Sequence, residues 1–275
     1  MVALLLMARI PLTTSEPAEP SNAMDKLRMS HVEIVSISPY IRLEKGNWQG
    51  KRVLVKRLKT SMMNNPDVLE RFEREADVLE RLDHPNIPAL IHRESGVLMR
   101  QYVEGNTLYH YLNTATIDTA STLHIARGLL SALVHSHVRE ILHLDVKPAN
   151  VLLSADRRVH LIDFGCAKDL TLGSITHHEA RLGTPHYMAP EQFKGIRDDQ
   201  RSDIYSVGAV MYECLMGQPP QRDPFAWLSG RGALPKQMPK NNQLADIIWK
   251  AIQRNPDHRY DEALDMLEAL EAIEV

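Results

Sequence analysis

The stretch His143-Leu144-Asp145-Val146-Lys147-Pro148-Ala149-Asn150 decides the fold. It gathers an acid, an amine and a carboxamide on what reads as a loop between two apolar runs. Thirteen residues after Asn150, Asp163-Phe164-Gly165 follows the strand-like Val159-His160-Leu161-Ile162, and Ala189-Pro190-Glu191 comes later. A lone Asp or Asn in a loop is usually turn chemistry. Three motifs in this order and spacing call for a common explanation.

Together they resemble the protein kinase signature H-R-D-x-K-P-x-N, D-F-G and A-P-E. The resemblance implies an α+β, two-lobed protein kinase fold, with a small mainly β N-lobe carrying one helix and a large mainly helical C-lobe. It covers residues from about 31 to 275, with the N-lobe at about 31–101 and the C-lobe at about 102–275. The implied activity is transfer of the γ-phosphoryl of ATP to a protein Ser or Thr hydroxyl, with Mg²⁺ as cofactor.

That chemistry is mostly positioning and charge neutralisation. The resemblance makes Asp145 the catalytic base and gives Lys147 the task of stabilising charge on the migrating group. A lysine there also marks serine/threonine rather than tyrosine kinases. Asn150 and Asp163 become the oxygen ligands for hard Mg²⁺ ions. Val53-Leu54-Val55-Lys56 resembles the V-A-I-K strand, so Lys56 would hold the ATP phosphates and Glu75 would pair with it. Val68, Phe72, Ala76, Leu79 and Leu82 recur at helical steps from Pro66 onward, which predicts the helix carrying Glu75. Periodicity alone leaves Glu75 on the helix surface, with Glu73 and Glu80 solvated.

Gly183-Thr184-Pro185-His186-Tyr187-Met188 resembles a substrate-facing loop, with Thr184 beside the catalytic loop. By the same resemblance Asp203 would brace the catalytic-loop backbone and Arg259 would pair with Glu191. Tyr102-Val103-Glu104-Gly105 resembles the hinge, making Gln101 and Val103 ATP-binding residues.

Three departures from the family pattern stand out. The positions of the glycine-rich loop hold Ser36, Ser38 and Ile41, where side chains keep backbone N–H groups from close approach to phosphate. Serine hydroxyls could replace some of those donors. Gly46-Asn47-Trp48-Gln49-Gly50, six to ten residues before Lys56, reads as the turn between strands two and three. Leu144 replaces the arginine of H-R-D, which argues against control by phosphates at Ser174 or Thr176. Arg100, or Met99 in a register shifted by one, stands at the gatekeeper position beside the adenine. These departures keep a rival open, a pseudokinase acting as a binding scaffold. A small-molecule phosphotransferase of kinase-like fold is disfavoured by the Gly183–Glu191 loop.

The chain of 275 residues carries a net charge of −3, with no basic stripe for nucleic acid or anionic membrane. Two cysteines, Cys166 and Cys214, form no disulfide framework, and Cys166 reads as a small buried filler. His177-His178 has no partner at zinc spacing. Val2 to Met7 is apolar but too short to span a bilayer. Residues 1–30 read as a disordered extension, or as residues preceding a true start at Met24 or Met29. The expectation is a cytoplasmic enzyme without a membrane span, acting on protein substrates, its input signal supplied by a regulatory protein partner.

Overall fold

The computed structural model describes residues 29–114, 116–171, 185–240 and 242–273. Most of the N-terminal extension, Ser174, Thr176, His177, His178 and the Gly183-Thr184 step lie outside the described residues.

The small lobe is one antiparallel sheet of β1 (Ser30–Ile37), β2 (Ile41–Trp48), β3 (Lys51–Leu58), β4 (Leu90–Glu94) and β5 (Val97–Gln101), in the order β1-β2-β3-β5-β4. Gly46, Asn47 and Trp48 belong to β2, not to the turn. The β2–β3 connection is Gln49-Gly50 alone, both at positive φ (48° and 75°), the backbone that a two-residue hairpin demands. Alternation along β3 and β5 gives the sheet two different faces. Val53, Val55, Val97 and Met99 form one small buried cluster, while Leu54, Lys56, Leu98 and Arg100 point the other way.

That second face is covered by α1 (Pro66–Glu80). The helix starts where Asn65 caps the Val68 N–H and Pro66 supplies a preset φ. Phe72, Glu75, Ala76, Val78 and Leu79 are its buried residues. Glu73 is half-buried rather than solvated, because it accepts a hydrogen bond from the Gly96 N–H (3.1 Å) and faces Arg93.

The large lobe opens with β6 (Gly105–Thr107) and α2 (Leu108–Leu112), then α3 (Thr119–His137). Short strands follow: β7 (Ile141–Leu142), β8 (Val151–Ser154), β9 (Val159–Leu161) and β10 (Lys168–Asp169). The remaining helices are α4 (Pro190–Phe193), α5 (Arg201–Met216), α6 (Pro224–Leu228), α7 (Asn242–Ala251) and α8 (Ala263–Glu271). α3 and α5 are its apolar centre: Leu129, Leu130, Leu133, Ile204, Tyr205, Val207 and Val210 are fully buried. With both helices immobilised by this packing, the loops between β7 and β10 rest on a rigid base. Among the described residues, no helix is long and apolar enough to cross a membrane.

Candidate active site

The site forms where the α1-facing side of the sheet meets the β7–β10 loops. Lys56 Nζ lies 2.5 Å from Glu75 Oε2 and 3.6 Å from Asp163 Oδ1. Glu75 is buried because positions 72, 75, 76 and 79 share one helical face. A carboxylate there is tolerable only with a cation against it, and Lys56 provides one. Burial works against the Lys56 ammonium, but Glu75 and Asp163 outweigh it and raise its pKa. Burial would likewise raise the Asp163 carboxyl, yet Lys56 and then Arg100 hold it down to about 2. Water reaches about half of the Asp163 side chain, 48 %, so this attraction is partly screened. Gly165 makes the approach of the two carboxylates possible. A Cβ there would lie 3.1 Å from Asp163 Oδ1 and 3.2 Å from Glu75 Oε2.

Asp145 lies in the second half of the site. Lys147 Nζ donates to Asp145 Oδ2 at 2.7 Å, and Asn150 Nδ2 donates to the same oxygen at 3.0 Å and to the Asp145 carbonyl at 2.9 Å. The loop is held from below by Asp203 on α5, which is fully buried and accepts from the His143 N–H (2.9 Å) and the Leu144 N–H (2.7 Å). Burial would raise its carboxyl, but His137 and His143 keep it below the usual range. Leu144 has φ 60°, a conformation that costs a non-glycine residue about 1–3 kcal/mol. Both ends of the residue are fastened, since Gln192 Nε2 donates to its carbonyl at 3.0 Å. His143 Nδ1 accepts from the Asp145 N–H, so its Nε2 is the nitrogen that donates to the Ile162 carbonyl. Its ring meets Phe164 edge-on at 4.7 Å, tying the two loops together.

The positions of the missing glycines form a closed turn. The Ser38 N–H donates to the Ile41 carbonyl (2.8 Å), the Ile41 N–H donates to Ser38 Oγ (3.0 Å), and that hydroxyl donates back to the Ile41 carbonyl (3.2 Å). Ser36 stands half-buried in edge strand β1, and Ile41 packs on the core as the first residue of β2. Gln101 ends β5, its N–H bonded to the Ala89 carbonyl (2.9 Å), and Val103 lies two residues beyond. The β3–β5 register pairs Leu54 with Arg100 and Lys56 with Leu98, which makes Arg100 and not Met99 the residue facing the cleft.

The family model for the protein kinase domain matches residues 41–271. This chain belongs to the protein kinase family. The match begins at Ile41, just past the glycine-less turn. Serine/threonine-protein kinase PrkC of Bacillus subtilis is 33% identical over 229 residues, which is 78% of this chain and 35% of the relative. Serine/threonine-protein kinase PknB of Mycolicibacterium smegmatis is 35% identical over 234 residues, 78% of this chain and 37% of the relative. PknB of Mycobacterium tuberculosis is 30% identical over 272 residues, 90% of this chain and 42% of the relative. The chain thus spans about a third to two-fifths of the length of these relatives.

Some supports of this kinase domain were not visible in the sequence. Arg81, just after α1, pairs with the buried Asp169 of β10 and donates to the Arg139 carbonyl at 2.5 Å, binding helix and strand together. Gln192 and His137 act on the loop of residues 143–150, one through its backbone and the other through Asp203. No motif spacing singles out these residues. Cys166 is half-buried rather than a core filler, and burial, then Asp145 and Asp163, push its thiol up to about 11.

Proposed function

We propose that this chain transfers the γ-phosphoryl of ATP to serine or threonine hydroxyls of proteins. The observation that carries the reading is the convergence of Lys56, Glu75 and Asp163 across the two lobes, at 2.5 and 3.6 Å. Such an alignment positions phosphates without further rearrangement of α1. Asp145 is the base: the Asn150 amide and the Lys147 ammonium fix its carboxylate so that it can accept the substrate hydroxyl proton. Lys147 shifts its charge onto the phosphoryl oxygens as they approach. Lys56 orients the α- and β-phosphates, and Glu75 holds Lys56 in place. Gln101 and Val103 border the base.

The donor set suits a hard cation. Asp163 stays ionised, and Asn150, its amide nitrogen spent on Asp145, has its carbonyl oxygen to offer. Asn150 and Asp163 would hold Mg²⁺, which when bound neutralises phosphate charge. The relatives carry the name serine/threonine-protein kinase, which supports protein substrates; the use of ATP favours a cytoplasmic site of action, where ATP is plentiful. Net charge −3 without a basic stripe disfavours a nucleic-acid partner.

A second reading, a binding scaffold without turnover, is favoured by the Ser38–Ile41 turn, which keeps amide donors for itself. Leu54, where the family motif has alanine, adds bulk opposite Arg100. Incubation with γ-labelled Mg²⁺-ATP and a generic protein substrate separates the two. Label on Ser or Thr supports the enzyme. No label and no thermal shift at several millimolar Mg²⁺-ATP leaves the scaffold.

A further inference from the structure

We propose that Arg100 is a phosphate-positioning residue: its guanidinium, reaching from β5 into the cleft, holds the triphosphate in place of the donors that the glycine-less turn withholds. This rests on the reading of the cleft as an ATP site and names the group that makes up for its damaged part.

Three observations carry it. The sheet register puts Arg100 on the same face as Lys56, one cross-strand pair further toward Gln101. Two residues along a strand are about 7 Å apart, a distance an arginine side chain can span back toward the phosphate end. Next, Arg100 is half-buried, and among the described residues its guanidinium has no hydrogen-bond or ion-pair partner within contact distance. Other cations on this face or across the cleft are taken: Lys56 by Glu75, Lys45 by Glu33 and Lys147 by Asp145. A planar donor fork left unpaired in a cleft suits a bidentate anion such as a phosphate. The third observation is the charge balance. Lys56 and Arg100 together match Glu75 and Asp163, so that before Mg²⁺ binds the cluster offers a triphosphate no net negative charge.

The turn explains why such a group is needed. Backbone amides normally approach phosphates through glycine, but here the Ser38 and Ile41 N–H groups are bonded inside their own turn.

The test compares wild type with Arg100→Met and Arg100→Lys. An obstructing Arg100 predicts that Met, being uncharged, lowers the KM for ATP. The phosphate-positioning role predicts the opposite: a roughly tenfold higher KM, kcat changed far less, and most of the loss recovered by Lys. Mg²⁺ with inorganic tripolyphosphate serves as a probe without a base or turnover. It should raise the melting temperature of wild type and Arg100→Lys and leave Arg100→Met nearly unmoved. A KM that falls or stays level in Arg100→Met, or equal tripolyphosphate shifts in all three proteins, overturns the inference. Absence of transfer in wild type would count against the kinase activity, and the tripolyphosphate comparison would still decide the role of Arg100.

Discussion

At the scale of single residues, the side chains proposed to carry the chemistry stand in readable motifs, and those that hold them in place do not. Asp145, Lys147, Asn150 and Asp163 lie in short motifs whose order is readable directly, as does the Asp203 brace. Gln192 was invisible, because a glutamine that serves a distant carbonyl leaves no periodicity or spacing behind. Glu75 is an intermediate case: the helix was predictable, but what makes a buried carboxylate tolerable on its inner face is Lys56, a partner on another element. The turn at Ser38 leads to a prediction at this scale. Ser36, Ser38 and Ile41 changed together to glycine remove the hydroxyl that occupies the Ile41 N–H and the Cβ atoms that would keep backbone amides from phosphates. Steady-state kinetics should then give a lower KM for ATP with kcat little affected. A raised KM would mean that the closed turn itself shapes the site.

At the scale of elements, register decided what composition left open. Whether Arg100 or Met99 faces the cleft is a matter of one residue, and a one-residue slip exchanges the two faces of a strand. The antiparallel pairing of β5 with β3 fixes it, a contact between segments over forty residues apart that local sequence does not encode. The turn between β2 and β3 was expected to start at Gly46, three residues too early, for a related reason, since Gly46, Asn47 and Trp48 lie inside β2 and only Gln49-Gly50 turn. Element docking also rests on one buried ion pair. Arg259 donates to both oxygens of Glu191 (2.6 and 2.8 Å), fastening α4 to the segment that precedes α8. Ser202 adds a third bond to Glu191 at 2.7 Å. Arg259→Met leaves that carboxylate buried and unpaired, which should cost about 3–5 kcal/mol in a urea titration. A loss below about 1 kcal/mol, the level of exposed pairs, would mean that water reaches Glu191.

At the scale of the whole molecule, the two-lobed architecture followed from motif order, while the cleft between the lobes followed from tertiary contacts. Burial, the leading cause in each case, lowers the pKa of His84, His135, His160 and His186 below the ordinary histidine value. The unfolded chain therefore binds more protons than the folded one as pH drops through about 6.5. Stability should be complete above that value and decline as pH falls, so the melting temperature at pH 5.5 should lie below that at pH 7.5. An equal or higher value at pH 5.5 would place these rings in water. In the function proposed above, both lobes converge on one phosphotransfer site with Asp145 as its base. Asp145→Asn keeps the size of the side chain and most of its hydrogen bonds but cannot take a proton. The decisive measurement is its single-turnover rate of label transfer at saturating Mg²⁺-ATP, beside wild type. The prediction is a fall of about 10²–10⁴-fold, with melting temperature and ATP affinity close to wild type. Transfer by Asp145→Asn at the wild-type rate would mean that Asp145 is not the base.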